Sequence, residues 1–246
     1  MFKEKKEFRL SGSIGGGEET STKEIQAASS VTKNIALMSN ILFAEANNGS
    51  TENNSSKGRY FDGAVGYYKD FKKYGVFELY AGAGTYKQHH NYFEDGIVGY
   101  DYFPVIGFPF GYIDTVPKYG PIAAGSADLS YLNYFIQPNY GFSFDCLDVS
   151  ISTRISDLYF NKINNQITNA SLAYYTEVEG MRKHRHSIVF EPAITIRCGW
   201  KNTKMQLQYA YTGILSNSTY RYETYNLSFG VNFSIAKRYW TGTLKE

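Results

Sequence analysis

Hydrophobic and polar side chains alternate strictly near the carboxyl end of the chain, between Tyr225 and Ala236. The odd positions from Tyr225 to Ile235 are all large and apolar, and the even positions are small or polar. Successive side chains of a β-strand point to opposite faces, so this stretch predicts a strand with one apolar and one polar face. In a transmembrane barrel the apolar face of such a strand meets lipid and the other face lines the lumen.

The same alternation, interrupted by turn residues, predicts about ten strands along the chain. In order they cover Glu7–Gly15, Glu24–Val31, Ile35–Ala46, Arg59–Lys69, Val76–Gln88, Asp128–Ser143, Leu147–Phe160, His184–Gly199, Lys204–Leu215 and Tyr225–Ala236. An even number of this size is typical of outer-membrane barrels. We therefore predict an all-β fold, a closed antiparallel up-and-down transmembrane β-barrel that forms a single domain over residues 1–246.

The connections between these strands differ in length at the two ends of the predicted barrel. Those after the odd-numbered strands are mostly long and polar, with the two longest at about 91–126 and 161–183, whereas those after the even-numbered strands are short. Outer-membrane barrels have short periplasmic turns and long external loops. The pattern therefore predicts external long loops and two periplasmic termini. A soluble β-sandwich that binds a ligand is the alternative fold, although a sandwich has no reason to sort its loops by length.

Composition supports the barrel and excludes other classes of protein. Aromatic residues make up 17% of the chain, which suits strands and the aromatic girdles of membrane barrels. The net charge of +2 is too small for a nucleic-acid-binding surface. Mean hydropathy is −0.38, and the sequence has no apolar run long enough for a transmembrane helix. The chain begins with the charged stretch Met1–Lys6 and shows no signal peptide, so we expect a mature or trimmed form.

Charged residues occupy the face that the alternation directs into the lumen. Both signs are present, which predicts a hydrogen-bonded network rather than isolated charges. Eight strands already fill a barrel with side chains, so a barrel of about ten strands predicts a plugged lumen rather than an open pore. The predicted lumen network consists of Arg9, Asp62, Glu78, Asp148, Arg154, Glu191 and Arg197.

The predicted loop at 91–126 is rich in glycine, proline and aromatic residues. Many aromatic side chains on one external loop indicate a lid over the barrel mouth or a surface for a partner. We predict that the cap or partner contact is made by Phe103, Phe108, Phe110 and Tyr112.

Other candidate sites have weaker patterns. The four histidines, His89, His90, His184 and His186, fall near loop ends of two strands, but rim exposure explains them better than a metal site, and we predict no metal and no cofactor. A barrel-mouth hydrolase built from the acidic residues Glu94, Asp95 and Asp101, or from His186 and Ser187, is a minor alternative. Adjacent strand residues point to opposite faces, so His186 and Ser187 do not form a nucleophile–base pair. The cysteines Cys146 and Cys198 lack metal-ligand spacing and have opposite predicted facing, which disfavours a disulfide.

Three motifs bring a known group of proteins to mind. They are Val31–Met38 (VTKNIALM), Phe135–Phe142 (FIQPNYGF) and Phe190–Thr195 (FEPAIT). Through these motifs the chain resembles the small outer-membrane β-barrel surface proteins of the Bacteroidota type. The resemblance extends from Phe2 to Tyr239, and many proteins of this type are predicted lipoproteins. The resemblance implies an outer-membrane location and a role as an accessory subunit beside larger complexes. It also implies a lipidated cysteine at the mature N-terminus, which this chain does not have there.

From these observations we expect a surface or accessory subunit of a bacterial outer membrane that is not an enzyme. Its expected partners are membrane lipid and other outer-membrane proteins, with no nucleic acid. A narrow channel or porin for small solutes is the second hypothesis, and a barrel-mouth hydrolase is the third.

Overall fold

The chain folds as a ring of long antiparallel strands. The computed structural model describes residues 2–47, 54–71, 75–105, 112–144, 146–168, 173–200, 202–216 and 223–237. The strands are β1 (Phe8–Gly16), β2 (Thr20–Ser30), β3 (Ile35–Asn47), β4 (Ser55–Asp70), β5 (Val76–Val105), β6 (Tyr112–Ser143), β7 (Leu147–Asn165), β8 (His186–Gly199), β9 (Thr203–Tyr211), the two-residue β10 (Gly213–Ile214) and β11 (Tyr225–Ile235). The helix α1 (Ala173–Lys183) lies between β7 and β8.

The sheet closes on itself. Each strand from β1 to β8 pairs with the next along the chain, β1 also pairs with β11, and β11 pairs with β9. The ring is completed by pairing between β8 and β9, from Ala193 opposite Ala210 to Gly199 opposite Lys204. The result is a closed antiparallel barrel of ten strands, as the alternation predicts, with β10 as a short addition beside β8.

The two faces of the barrel have the predicted polarity. On β11 the apolar side chains of Leu227 and Phe229 are 51% and 47% exposed on the outside, whereas Ser228 and Asn232 are each only 6% exposed, on the inside. Two stacked sheets would bury the apolar set between them, so the exposed apolar face excludes the sandwich alternative. Among the described residues no helix is long and apolar enough to cross a membrane.

The connections define two ends of the barrel. The turn end carries the short links β2–β3, β4–β5, β6–β7 and β8–β9 together with the chain's entry into β1 and exit from β11. The loop end carries the links β1–β2, β3–β4, β5–β6, β7–β8 and β9–β11. The first of these is shorter than predicted, because β2 begins at Thr20 and only residues 17–19 separate it from β1.

The two long segments predicted as loops, 91–126 and 161–183, consist mostly of strand and helix instead. Most of 91–126 is strand, since β5 continues to Val105 and β6 begins at Tyr112, and these extensions pair with each other. Beyond Asn91 and Ala127 neither extension pairs with another described strand, although Ser126 and Ala124 accept backbone hydrogen bonds from Gln166 and Thr168. Among the described strands, the rest of each extension is the edge of a two-stranded ribbon. Proline, which lacks an N–H donor, is tolerated at such edges, which explains why Pro104, Pro117 and Pro121 do not break the hairpin.

The segment 161–183 also differs from the predicted loop. Strand β7 continues to Asn165, and residues 173–183 form α1. Strand β8 consequently begins at His186 rather than His184.

Inside the barrel, aromatic rings cover glycines of the neighbouring strand. A Cβ added at Gly58 would overlap Tyr86, one at Gly66 would overlap Tyr80, and one at Gly82 would lie 2.6 Å from Phe135. Small residues thus make room on the inner face for large rings, which fill part of a narrow lumen.

Candidate functional site

A cavity of about 940 Å³, lined by both polar and apolar side chains, occupies the lumen. At the loop end it is lined by the exposed carboxylates Glu19 and Glu45, so it is open there. Toward the turn end its lining stops at Phe2, Arg9 and Glu78. The described lining of the cavity therefore runs from an opening at the loop end to Phe2, Arg9 and Glu78 near the turn end.

The centre of the lumen is organised by Arg154 on β7. Its Nη1 donates to Oδ2 of the fully buried Asp62 at 3.0 Å, and its Nε donates to Oε1 of Gln137 at 2.8 Å. The guanidinium lies over the Phe135 ring, with Cζ 4.1 Å from the ring centroid, and Nη1 also reaches the Tyr60 hydroxyl at 3.3 Å. Charge-assisted hydrogen bonds and the ring contact together hold this cation across the barrel from β4.

Two further carboxylates belong to the central group. Glu191 and Glu24 both lie near enough to interact electrostatically with Arg154. Glu24 also shares a hydrogen bond with Ser13, at 3.5 Å. Of the predicted network, Asp62, Arg154 and Glu191 thus belong together, and Glu24 is a member that the sequence analysis missed.

A second charged group lies at the turn end. Arg9 donates to Glu7 at 2.7 Å, and Lys204 donates to Asp148 at 2.9 Å. Glu7 and Lys204 are members of this group that the sequence did not predict. Each is two positions from an inward-facing residue, Arg9 and Gln206 respectively, so alternation places both on the inner face. Arg197 donates to Gln206 at 2.6 Å. The predicted network is therefore divided between a central and a turn-end group.

The N-terminal segment, residues 2–6, places Phe2 at the turn-end limit of the cavity, which is called the floor below. Phe2 is only 2% exposed, and its amide donates to Glu78 at 2.7 Å. The Glu4 carbonyl accepts from Ser30 at 2.6 Å and from the Tyr68 hydroxyl at 3.1 Å. Because the ring of Phe2 also packs against Tyr68, with centroids 5.6 Å apart, the segment is held by apolar contact and by hydrogen bonds. Nothing in its charged sequence predicts this placement.

An apolar cluster narrows the loop end on the β4–β8 side. Tyr86 stacks on Tyr131 with ring centroids 4.6 Å apart, and Tyr131 meets Phe160 edge-on at 5.2 Å. Met181 of α1 is buried in this cluster, and Val178 of the same helix is fully buried nearby. The helix thus covers one side of the barrel mouth and leaves the cavity open beside it.

The histidines do not converge on one site. Nδ1 of His89 lies 2.7 Å from Asp128 on the outer face, and Nδ1 of His186 lies 3.1 Å from Asp157 on the outer face of β7 and β8. His90 faces inward and stacks on Tyr92 with centroids 5.8 Å apart. The described residues contain no group of three or more side chains suited to a metal ion.

The hydrolase residues of the sequence analysis are also separated. Ser187 is fully buried on the inner face, whereas His186 is exposed on the outer face. Glu94, Asp95 and Asp101 all lie on the β5 extension. The two cysteines are exposed free thiols, one in the β6–β7 turn and one at the end of β8.

The two neighbouring histidines differ in their surroundings. The hydrogen bond with Asp128 raises the pKa of His89, whereas burial lowers the pKa of His90 to about 4. The same bond lowers the pKa of Asp128. The bond therefore stabilises the fold between these two titrations: its contribution falls as pH rises through the His89 pKa and as pH falls through the Asp128 pKa.

We expect NMR titration of the histidine rings to separate the two residues. His89 will titrate above the ordinary value of about 6.5, and His90 will stay neutral until the pH is near its pKa of about 4. Asp128→Asn should lower the His89 midpoint and leave that of His90 in place. A single shared midpoint for both rings would contradict this assignment.

Two of the four predicted aromatic contact residues, Phe103 and Tyr112, lie at the far end of the described part of the β5–β6 hairpin. Phe103 is on β5 opposite Asp114, and Tyr112 is on β6 opposite Val105. Phe108 and Phe110 lie outside the described residues. The hairpin therefore brings Phe103 and Tyr112 to one end of a two-stranded ribbon, while their contacts stay a prediction.

The closed ring, its apolar outer face and its polar lumen define the class of this protein. The chain is a β-barrel of a bacterial outer membrane, in which strands pair all round and leave no edge in lipid. No protein-family model and no curated protein matches the sequence.

Three solved structures with similar folds are distant from this chain in sequence. The translocator domain of the autotransporter NalP from Neisseria meningitidis is 10% identical, with 94% of this chain and 87% of that one covered and a TM-score of 0.38. The KdgM porin is 11% identical over 93% and 99% of the two chains, with a TM-score of 0.37. LpxR from Salmonella typhimurium is 9% identical over 92% and 99%, with a TM-score of 0.37.

The expectation that the chain is not an enzyme is wrong as an inference from this fold. LpxR, a lipid A deacylase, is among the matching outer-membrane barrels. The absence of a recognisable catalytic motif from the sequence therefore does not exclude catalysis by this barrel.

Proposed function

We propose that this protein is a non-conducting surface barrel that acts as an accessory subunit of a larger outer-membrane complex. Its turn end faces the periplasm and its loop end faces the outside of the cell. The observation that carries the proposal is the N-terminal segment, because Phe2 and its bond to Glu78 close the periplasmic end of the lumen.

The orientation is supported by the connections. The α1 segment and the β5–β6 hairpin both belong to the loop end, and long external segments are typical of outer-membrane barrels. Both termini then lie in the periplasm.

The closed lumen favours this proposal over a porin for small solutes. A porin needs a continuous aqueous path, whereas here the cavity ends at Phe2, Arg9 and Glu78. The ion pairs Arg9–Glu7 and Lys204–Asp148 lie in the same turn-end region and add to the closure.

The β5–β6 hairpin supports the accessory role. Its extensions pair only with each other among the described strands, and a strand edge without a neighbouring strand is suited to pairing with another chain. Ile97, Val98 and Ile122 are exposed on them. A two-stranded ribbon is marginally stable alone in water, so the hairpin suits a partner protein that adds a strand to its edge. In this proposal Phe103, Phe108, Phe110 and Tyr112 contact that partner.

A photo-crosslinking amino acid at Val98 tests the partner contact in native membranes. We expect a discrete adduct with another outer-membrane protein, and we expect its yield to fall about tenfold when the four aromatic residues are replaced by alanine, as for the loss of an interface anchor. The matched control replaces residues 217–222, at another loop-end connection, by a glycine–serine segment of equal length. An adduct that is unchanged in the aromatic variant, or lost equally in the control, would refute the hairpin contact.

The assignment to barrels of the Bacteroidota type, and the lipoprotein character that goes with it, belong to the proposal as well. They are supported by the motifs at 31–38, 135–142 and 190–195. Mass spectrometry of the N-terminal peptide from native membranes tests the lipoprotein character. A diacylated cysteine ahead of the N-terminal segment, residues 2–6, supports a lipoprotein, and an unmodified N-terminus refutes it.

A further inference from the structure

The outer face of β4 and β5 changes character abruptly toward the loop end. Phe61 and Thr85 are directly opposite each other and belong to the lipid-facing surface. On the same face, two residues further toward the loop end, Arg59 lies directly opposite Lys87. Two like charges in directly opposed positions destabilise a sheet unless something compensates them.

The same cross-strand row carries further cations on both sides. From β2 to β7 the directly opposed residues are Lys23, Phe43, Arg59, Lys87, Ser130 and Lys162. With neighbouring strands about 4.8 Å apart, the backbone of Arg59 is about 10 Å from that of Lys23, and Lys87 is similarly spaced from Lys162. The four cations are all exposed.

Local carboxylates compensate this row only in part, through the electrostatic interaction of Asp128 with Lys162. Among the described residues, no ion pair within 4.0 Å involves Lys23, Arg59, Lys87 or Lys162. The next row toward the loop end is different, since Lys57 pairs with Glu45 at 3.9 Å and His89 pairs with Asp128 at 2.7 Å. The uncompensated charge is therefore confined to the row that borders the apolar band.

The cations of the row lie on strands β2 to β7. Continuing past Lys23 through β1, β11 and β9, the opposed residues are Ile14, Phe229 and Leu207. Because barrel strands are tilted, this line of opposed residues also moves along the barrel axis, and it returns to β7 at Val149 rather than at Lys162. The cations are therefore grouped where the line passes the loop-end border of the apolar band.

We propose that Arg59 and Lys87, flanked by Lys23 and Lys162, bind the phosphate groups of a phosphorylated lipid in the adjoining leaflet. A residue just beyond the apolar band lies at headgroup depth, where a long cationic side chain keeps its stem on the lipid surface and its charge in the polar layer. The Arg59 guanidinium matches phosphate oxygens in a bidentate way, and Lys87 adds a point charge. Phe43, between Lys23 and Arg59, offers an apolar surface to the acyl region. The lipid anchor distinguishes this ligand from free phosphate.

The experiment uses the 246-residue chain in detergent micelles, with bound lipid counted by native mass spectrometry. The probes are diphosphorylated lipid A, the same glycolipid without its phosphates, and inorganic phosphate. We expect retention of the diphosphorylated form only, and a loss of about tenfold or more in apparent affinity for Arg59→Gln/Lys87→Gln, since two charge-assisted contacts are removed. The control Lys5→Gln/Lys33→Gln makes the same change in net charge at exposed positions of the turn end.

Equal retention of the dephosphorylated glycolipid would overturn the proposal. So would competition by millimolar inorganic phosphate, which would indicate a simple anion site, or an equal loss in the control, which would indicate a net-charge effect. Migration of the folded band in unheated gels verifies that each variant forms the barrel.

Discussion

Replacing Arg154 by methionine will lower the free energy of unfolding by about 3 kcal/mol. The side chain of Asp62 is 0% exposed and depends on the Arg154 guanidinium 3.0 Å away. Removing one member of a buried ion pair leaves the other charge without its partner, which is the costly case. Urea titration of the barrel in micelles, followed by tryptophan fluorescence, measures the change.

The double variant Arg154→Met/Asp62→Asn provides the matched control. Asparagine keeps the shape of Asp62 and removes its charge, so we expect the double variant to regain a large part of the lost stability. A loss below about 0.5 kcal/mol in the single variant, the range of ordinary surface changes, would show that the lumen network does not stabilise the barrel.

Deleting residues 2–6 will open the proposed turn-end closure and convert the cavity into a conducting path. The deletion removes the Phe2 ring from the floor and frees Glu78, Ser30 and Tyr68 from their bonds to the segment. Water can then hydrate the turn-end side chains and join the cavity to the other end. In planar bilayers we expect steady single-channel steps from the deletion variant.

The control for this deletion keeps the segment and changes its surface. Lys5 and Lys6 are exposed, so Lys5→Ala/Lys6→Ala should leave the floor in place and the bilayer silent. If the deletion variant also stays silent, the ion pairs Arg9–Glu7 and Lys204–Asp148 close the lumen by themselves, and the segment is not the plug.

The strands and their faces could be predicted because alternation is a local signal. Each lipid-facing residue of β11 follows from its position relative to Tyr225, and the inward facing of Arg154, Asp62 and Glu191 follows in the same way. The pairing of these residues could not be predicted, since Arg154 and Asp62 are separated by 92 positions and meet only across a closed lumen. Alternation assigns a face but does not give the distance between residues on different strands.

The errors have physical causes as well. The region 91–126 resembles a loop in its glycine and proline content, yet the edge strands of a two-stranded hairpin accept proline. Helix α1 has Gly180 in its interior and draws its stability from Val178 and Met181, which are buried against the barrel. The N-terminal segment, residues 2–6, is a short charged stretch whose place depends on tertiary contacts alone. The cationic row needed the register of six strands before its members could be seen together.

Single-channel recording of the unmodified 246-residue chain in planar bilayers tests the closed lumen most directly. If Phe2 and the charged groups around it seal the floor, the membrane current will stay at its baseline after insertion of the barrel is verified by protease protection. A reproducible, steady conductance step from the unmodified chain would contradict the closed lumen and would favour a channel.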